Sequence, residues 1–315
     1  MCRNKRRLIG SSATRSLAWV ERARLHTRGA DPGYVEQKLG REFYSQLAGM
    51  SAVADSRRAA VLRAFSLYKK SVSSESPEPE ITGLGLLVLQ RTLLACEDLG
   101  ALIHGLVGKP HWLRFTSYRL GDLDQTFVKA RDGQVDVAKL WSMPTDESIA
   151  DEPGRTDEQR RALRRLREVS IEALEQELRT VAEFWMSHRE SIKNVMHGFS
   201  LVPAVHLIEP PGAGVLSKQV DLTTDRPFAA SLVSELDDKT RTVTTTTYTL
   251  DLTPPGIEIV RDISDTACEL MNRLSEARLY AVRTKHAFVI RNDFTDLLDP
   301  ADRATLAELM AVDGA

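Results

Sequence analysis

The sequence predicts a mostly α protein: a helical bundle with a long central helix and a small antiparallel β insertion. Three observations predict it. Apolar residues recur at helical spacing through most of the chain. One such stripe begins at a capping box and runs for about 40 residues, about 60 Å at 1.5 Å per residue. A single Val- and Thr-rich segment, broken by prolines, interrupts the pattern. The chain has 315 residues, 42% hydrophobic and 27% charged. That balance supports a real core and excludes collagen-like, disulfide-scaffold and wholly disordered classes. Lys and Arg total 42 against 44 Asp and Glu, a net charge of −2, so any binding of a polyanion must be local.

The expected organisation has four parts. Residues 1–32 form a basic N-terminal arm, read as disordered, with Arg3, Lys5, Arg6, Arg7 and Arg15 and no acid before Glu21. A transit peptide or an early start codon would look the same. Residues 33–200 form the helical bundle, 201–255 a β-ribbon insertion, and 256–315 C-terminal helices completing the bundle.

Within the bundle, Val35, Leu39, Phe43 and Leu47 mark a helix over Tyr34–Gly49. Asp55 or Ser56 is placed to cap a second helix through Lys70. Ser71–Glu80 reads as a polar loop. Ile81–Val107 is apolar almost all round, so it should be buried on most sides. Its polar residues form two adjoining rows at a spacing of seven: Gln90, Glu97 and His104, with Arg91 and Asp98. Seven residues are close to two turns, so these five make one stripe. It is either the solvent face or a polar seam against another helix, in which Arg91, Glu97, Asp98 and His104 would need partners.

Lys109–Ala130 adds a helix, and Asp132–Gly154 reads as a loop with turn signals at Asp132-Gly133 and Pro153-Gly154. Thr156 and Gln159 then open the longest helix, with a stripe of Leu163, Leu166, Ser170, Leu174, Leu178, Val181, Trp185, Ile192 and Met196 ending at Gly198. Val205–Ile208, Val215–Leu222 and Thr240–Leu252 read as strands, with Asp237-Asp238 as a turn. Ile257–Tyr280 returns to helix through Ile259, Ile263, Ala267, Leu270, Leu274 and Ala277. His286–Ile290 reads as a last strand. Asp299-Pro300 supplies a cap and a first-turn proline for a final helix over Ala301–Met310.

The cysteines at 2, 96 and 268 have neither metal-ligand spacing nor a disulfide framework, which points to a reducing compartment. No apolar core follows the basic N-terminus, and no clean apolar run of about 20 residues exists. The expectation is a cytoplasmic protein with no membrane contact. No P-loop, dinucleotide fingerprint, nucleophile elbow or HExxH motif is present, so no cofactor and no metal is expected. Glu97, His104 and His197 are the one metal set weighed, and nothing in their spacing demands it.

Two constellations carry chemistry. At the end of the long helix Arg189, Lys193 and His197 stand four apart on one face, with Asn194 adjoining. A His beside a cation and an amide can bind phosphate and move a proton. Basic residues at a helix C-terminus also simply favour its dipole. The second is Arg155–Arg167, where Arg160, Arg164 and Arg167 share a face suited to phosphates, although Glu168, Glu172, Glu175 and Glu177 follow at spacings suited to ion pairs.

The segment Asn194-Val195-Met196-His197-Gly198-Phe199 resembles the Asn-x-x-His-Gly-aromatic segment of some HEPN-like bacterial helical proteins, and Cys96-Glu97-Asp98-Leu99 is similar in flavour. The resemblance implies a helical bundle that forms homodimers and acts in toxin–antitoxin or phage-defence systems, in some members as a metal-independent RNase. It maps Arg189, Asn194 and His197 as catalytic residues, with seven residues between Arg189 and His197 where the family pattern has four to six. It implies RNA as ligand, and an antitoxin or defence protein as partner; Lys193 and the shared face of Arg160, Arg164 and Arg167 are the expected nucleic-acid contacts, read from their own charge and spacing. The competing expectation is a non-catalytic interaction or scaffold protein that uses the bundle and the β-ribbon.

Overall fold

The computed structural model describes residues 32–107, 114, 118–197, 201–203, 228–236, 243–284 and 294–313. They are mostly helical. The arm over residues 1–31 lies outside the described residues.

Helix α1 spans Pro32–Ser73 without interruption. The sequence pattern expects a break between Gly49 and Asp55. There is none, because Met50 and Ala54 are buried and carry the apolar face of Leu47 on to Val61, Ala64, Phe65 and Tyr68. A local cap signal loses to continuous burial on one face. A tight turn then leads to α2, Glu78–Val107. Its buried residues include Val88, Leu89, Leu93, Cys96, Leu99, Leu102, Ile103 and Leu106.

Helix α3 covers Leu120–Arg131, shorter than the expected Lys109–Ala130, of which most residues before Tyr118 lie outside the described set. Gly133, at φ +67°, ends it: the Gly133 and Gln134 amides donate to the Ala130 and Lys129 carbonyls. The stretch Asp132–Gly154, expected as loop, contains two short helices, α4 (Val137–Leu140) and α5 (Asp146–Ala150). Each is held by a side-chain cap. Asp136 accepts from the Lys139 amide and Thr145 from the Ser148 amide. Single capped turns are too short to show a helical period.

Helix α6 spans Asp157–His197, 41 residues. Its capping box forms as read: the Gln159 amide donates to Thr156 Oγ1 at 3.2 Å, and the Thr156 amide to Gln159 Oε1 at 3.0 Å. Leu163, Leu166, Ser170, Leu174, Leu178, Val181 and Trp185 are all buried.

Strands β1 (Leu201–Pro203), β2 (Phe228–Leu236) and β3 (Val243–Asp251) form an antiparallel sheet in the order β1-β2-β3, with Leu201 opposite Ser231 and Phe228 opposite Asp251. The sequence reading misses β1 and β2. Strand β3 falls within Thr240–Leu252. The expected strands Val205–Ile208, Val215–Leu222 and His286–Ile290, and the turn at Asp237-Asp238, lie outside the described residues.

Helix α7 spans Pro254–Thr284, and Asp299 caps α8, Pro300–Asp313, through the Asp302 amide. One residue of the α7 stripe is misplaced in the sequence reading: Ile259 is 62% exposed, while Ile257 and Val260 are buried. At 100° per residue, Ile259 stands on the far side from Ile257.

Helices α1, α2 and α7 pack on one another, and α6 packs on α3, α7 and α8. Tyr68 of α1 donates its hydroxyl to the Leu252 carbonyl, tying the end of β3 to the core, and burial pushes that phenol up to about 12. Thr92 of α2 donates to the Val260 carbonyl of α7. Cys96 and Cys268 are buried free thiols, and burial raises both above the usual thiol range. No helix among the described residues is long and apolar enough to cross a membrane.

The approach of α3 to α2 depends on a missing side chain. A Cβ on Gly100 would stand 2.7 Å from Phe127 Cε2 and 2.9 Å from Cζ, in a fully buried ring. Gly100→Ala should therefore cost about 1–3 kcal/mol through overpacking, more than its helix-propensity gain of about 1 kcal/mol. Gly83→Ala, in the same helix with nothing within 4 Å of its Cβ, should stabilise by about 0.5–1 kcal/mol. Urea unfolding of the two variants checks the opposite signs.

Candidate anion-binding cleft

The polar stripe on α2 is a seam between helices. Asp98 accepts from Arg57 Nε of α1 at 2.7 Å, and both side chains are less than one-third exposed. Glu97 accepts the Tyr118 hydroxyl at 2.9 Å, and burial followed by the Glu97 charge raises that phenol. Gln90 and Arg91 are half-buried. The greasy helix therefore keeps Glu97 and Asp98 half-buried by pairing them with neighbours.

The third member of the first row, His104, sits where the seam opens. Arg114 grips it twice: Nε donates to the His104 carbonyl at 3.0 Å, and Nη2 lies 3.3 Å from Nδ1. The carbonyl belongs to the last turn of α2, where helical partners run out, so the guanidinium also caps that end. A guanidinium can only donate, so Nδ1 accepts, and the neutral ring carries its proton on Nε2. Thr126 Oγ1 is 3.4 Å from the same nitrogen, but its proton goes to the Asp122 carbonyl at 2.8 Å. Burial, and then the Arg114 charge, hold His104 below the ordinary histidine value.

His104 and Arg114 border a cleft of about 330 Å³ between the end of α2 and helices α3, α4 and α7. Lys129 of α3, Lys139 of α4 and Arg278 of α7 add three cations to its wall. Its two acids are Asp122 and Asp136. Both are committed to helix starts: Asp122 accepts the Arg119 amide at 2.8 Å, and Asp136 accepts the Lys139 amide at 2.9 Å. Arg278 donates to the Lys139 carbonyl at 3.1 Å. Lys129 and Lys139 are exposed, and among the described residues neither ammonium has a carboxylate at ion-pair distance. The wall is thus cationic, and its anions are already occupied by backbone amides.

The other sequence candidates fall in two groups. Arg189, Lys193, Asn194 and His197 lie on the last turns of α6, with side chains outside the described residues. Of the arginine stretch, Arg160 pairs with Asp157 at 3.2 Å and Arg167 with Asp146 at 3.5 Å, while Arg164 is exposed. Arg155 and Arg165 pair with Glu152 and Glu168. Most of this positive run is thus answered by local carboxylates. Among the described residues no three His, Cys, Asp or Glu side chains come together to hold a metal.

The cleft itself escapes the sequence reading, which singles out only His104. Its cations stand at 114, 129, 139 and 278 with no common period. The chain matches no protein-family model, no curated protein and no solved structure.

Two half-buried histidines set an acid sensitivity. His188 donates Nδ1–H to the Phe184 carbonyl at 2.8 Å and stacks on that ring at 4.2 Å. Burial lowers its affinity for a second proton, against the opposing pull of that carbonyl. His104 is lowered as described. The unfolded chain then binds protons at a higher pH than the fold does, so stability falls as pH drops below about 6.5 toward the depressed folded values. The unfolding free energy from urea titration should be lower at about pH 6 than at about pH 7.5. His188→Gln should make the slope shallower, and an unchanged slope would show that the ring titrates freely in the fold.

Proposed function

We propose that this chain is a HEPN-like helical protein that binds or cleaves RNA in a stress or phage-defence setting. The observation that supports the reading best is the cationic cleft, where Arg114, Lys129, Lys139 and Arg278 surround a neutral imidazole. Lys and Arg side chains convened on one concave surface are the electrostatic footprint of a nucleic-acid phosphate. In this reading α6 is the central helix, the β strands are an insertion into the bundle, and Arg189, Asn194 and His197 at the end of α6 carry any cleavage. Lys193, Arg160, Arg164 and Arg167 extend the RNA contacts. The protein works in the cytoplasm as a homodimer, with an antitoxin or defence protein as partner.

A scaffold function is the second reading, and one observation favours it. The order β1-β2-β3 leaves β3 paired on one side only among the described residues. A Thr-rich edge strand of nine residues can accept a strand from a partner.

Purified protein and its variants, assayed for RNA binding and cleavage, separate the two. Lys129→Glu with Lys139→Glu should weaken binding of single-stranded RNA by about ten-fold or more and reduce its salt dependence. His197→Ala and Arg189→Ala should leave binding intact and abolish cleavage. Equal cleavage by these variants and the wild type would remove both residues from the mechanism. A protein that binds no RNA but captures a partner strand would favour the scaffold.

A further inference from the structure

We infer that the cleft between the end of α2 and helices α3, α4 and α7 is a site for a phosphate monoester: a terminal phosphate together with the single nucleotide that bears it. The inference rests on the RNA reading only for the polymer to which that nucleotide belongs.

Charge selects the monoester. Beside its arginines and carboxylates the wall carries Lys129 and Lys139, which have no carboxylate at ion-pair distance among the described residues, a surplus of two positive charges for a ligand to meet. An internal phosphodiester brings one negative charge, whereas a phosphate monoester brings about −1.5 to −2 near neutral pH. A monoester therefore neutralises the surplus with one group, and a diester leaves part of it unmatched. The carboxylates do not change this count in use, because backbone amides at the starts of α3 and α4 hold them in place.

Size selects a single nucleotide. At about 330 Å³ the cleft is at the lower end of small-molecule sites, which run from about 300 to 1,000 Å³. That is room for one sugar and base with a phosphate, not for a run of them. Gln125 and Gln134 also line the cleft and offer both donors and acceptors to such a group.

Geometry selects who meets the phosphate. Arg114 and Arg278 each spend donors on a backbone carbonyl, His104 O and Lys139 O, which fixes their planes. Lys129 and Lys139 reach from exposed helix positions and can turn their ammonium groups to follow the ligand. His104, with Nδ1 held by Arg114, has only Nε2–H to offer, a hydrogen-bond donor to a phosphate oxygen.

The test uses the full chain and fluorescence anisotropy. The probes are one short single-stranded RNA carrying a 5′-phosphate, a 3′-phosphate or only hydroxyl ends, with a nucleoside monophosphate, the parent nucleoside and inorganic phosphate as competitors. One end-phosphorylated RNA should bind about ten-fold tighter than the hydroxyl form. The nucleoside monophosphate and inorganic phosphate should erase that increment, and the nucleoside should not. Lys129→Gln with Lys139→Gln should remove the increment. Both positions are exposed, and an unchanged Tm would show that the fold is kept. Equal affinity for all three ends, or an increment that survives in the double variant, would overturn the inference. Equal affinity that drops uniformly in the double variant would leave RNA binding standing and the monoester site refuted. Binding of the nucleoside monophosphate alone, with no RNA bound in any form, would support the monoester site and refute the RNA reading.

Discussion

The fold depends on a helix with too much apolar surface for one partner. Helix α2 buries side chains around most of its circumference, from Val88 through Leu106. At about 25 cal/mol per Å² of apolar area, leaving any side of it wet would be costly, so α1, α7 and α3 must close around it. Close packing then sets the details. Gly100 lets Phe127 of α3 lie against the α2 backbone, and Phe127 in turn meets Trp185 of α6 with ring centroids 5.1 Å apart. Trp185 donates its indole N–H to Asp124, so the large aromatic at this junction is also polar-satisfied. The contact chain from α2 through α3 to α6 links the two groups of helices.

Such enclosure creates an electrostatic difficulty. Glu97, Asp98 and His104 of α2 are half-buried against neighbouring elements. The protein answers each with a partner drawn from elsewhere in the chain: Tyr118 for Glu97, Arg57 for Asp98 and Arg114 for His104. Pairing a half-buried charge is a requirement of the fold rather than a source of much net stability. It also spreads the binding chemistry, since the Arg114 that answers His104 is the first wall of the cleft.

The sequence makes the helices legible wherever the apolar period is long, as in α6, whose capping box and stripe both appear in the structure through Trp185. It fails where burial overrides local signals. Asp55 and Ser56 look like helix starts but sit inside α1, because the residues just before them are in the core. It fails again where elements are too short to have a period, as in α4 and α5. Ile259 shows a third cause: an apolar residue one position out of phase counts toward a stripe by eye and faces water in the fold. The polar seam is legible as a spacing of seven, but its partners stand up to 41 residues away in sequence. The cleft is still less legible, for Arg278 reaches Lys139 across 139 residues. Only the closure of α7 onto the α3–α4 corner brings them together.

The division of labour within the cleft follows from how each cation is held. Arginine presents a rigid planar fork whose orientation can be fixed by a single carbonyl, and lysine a flexible stem with a compact charge. Arg114 caps the His104 carbonyl in the last turn of α2, and Arg278 caps the Lys139 carbonyl at the end of α4, where Lys139 precedes the last helical residue. At both places the negative end of a helix supplies the acceptor and holds the guanidinium beside the opening. These two arginines therefore cannot be removed without disturbing a helix end. The lysines have no such duty among the described residues, so their charge is available to a ligand without structural cost. A wall with two cations fixed by the fold and two left to move is pre-shaped in part and adjustable in part. That combination lowers the ordering entropy a ligand must overcome while still allowing it to be gripped from two sides.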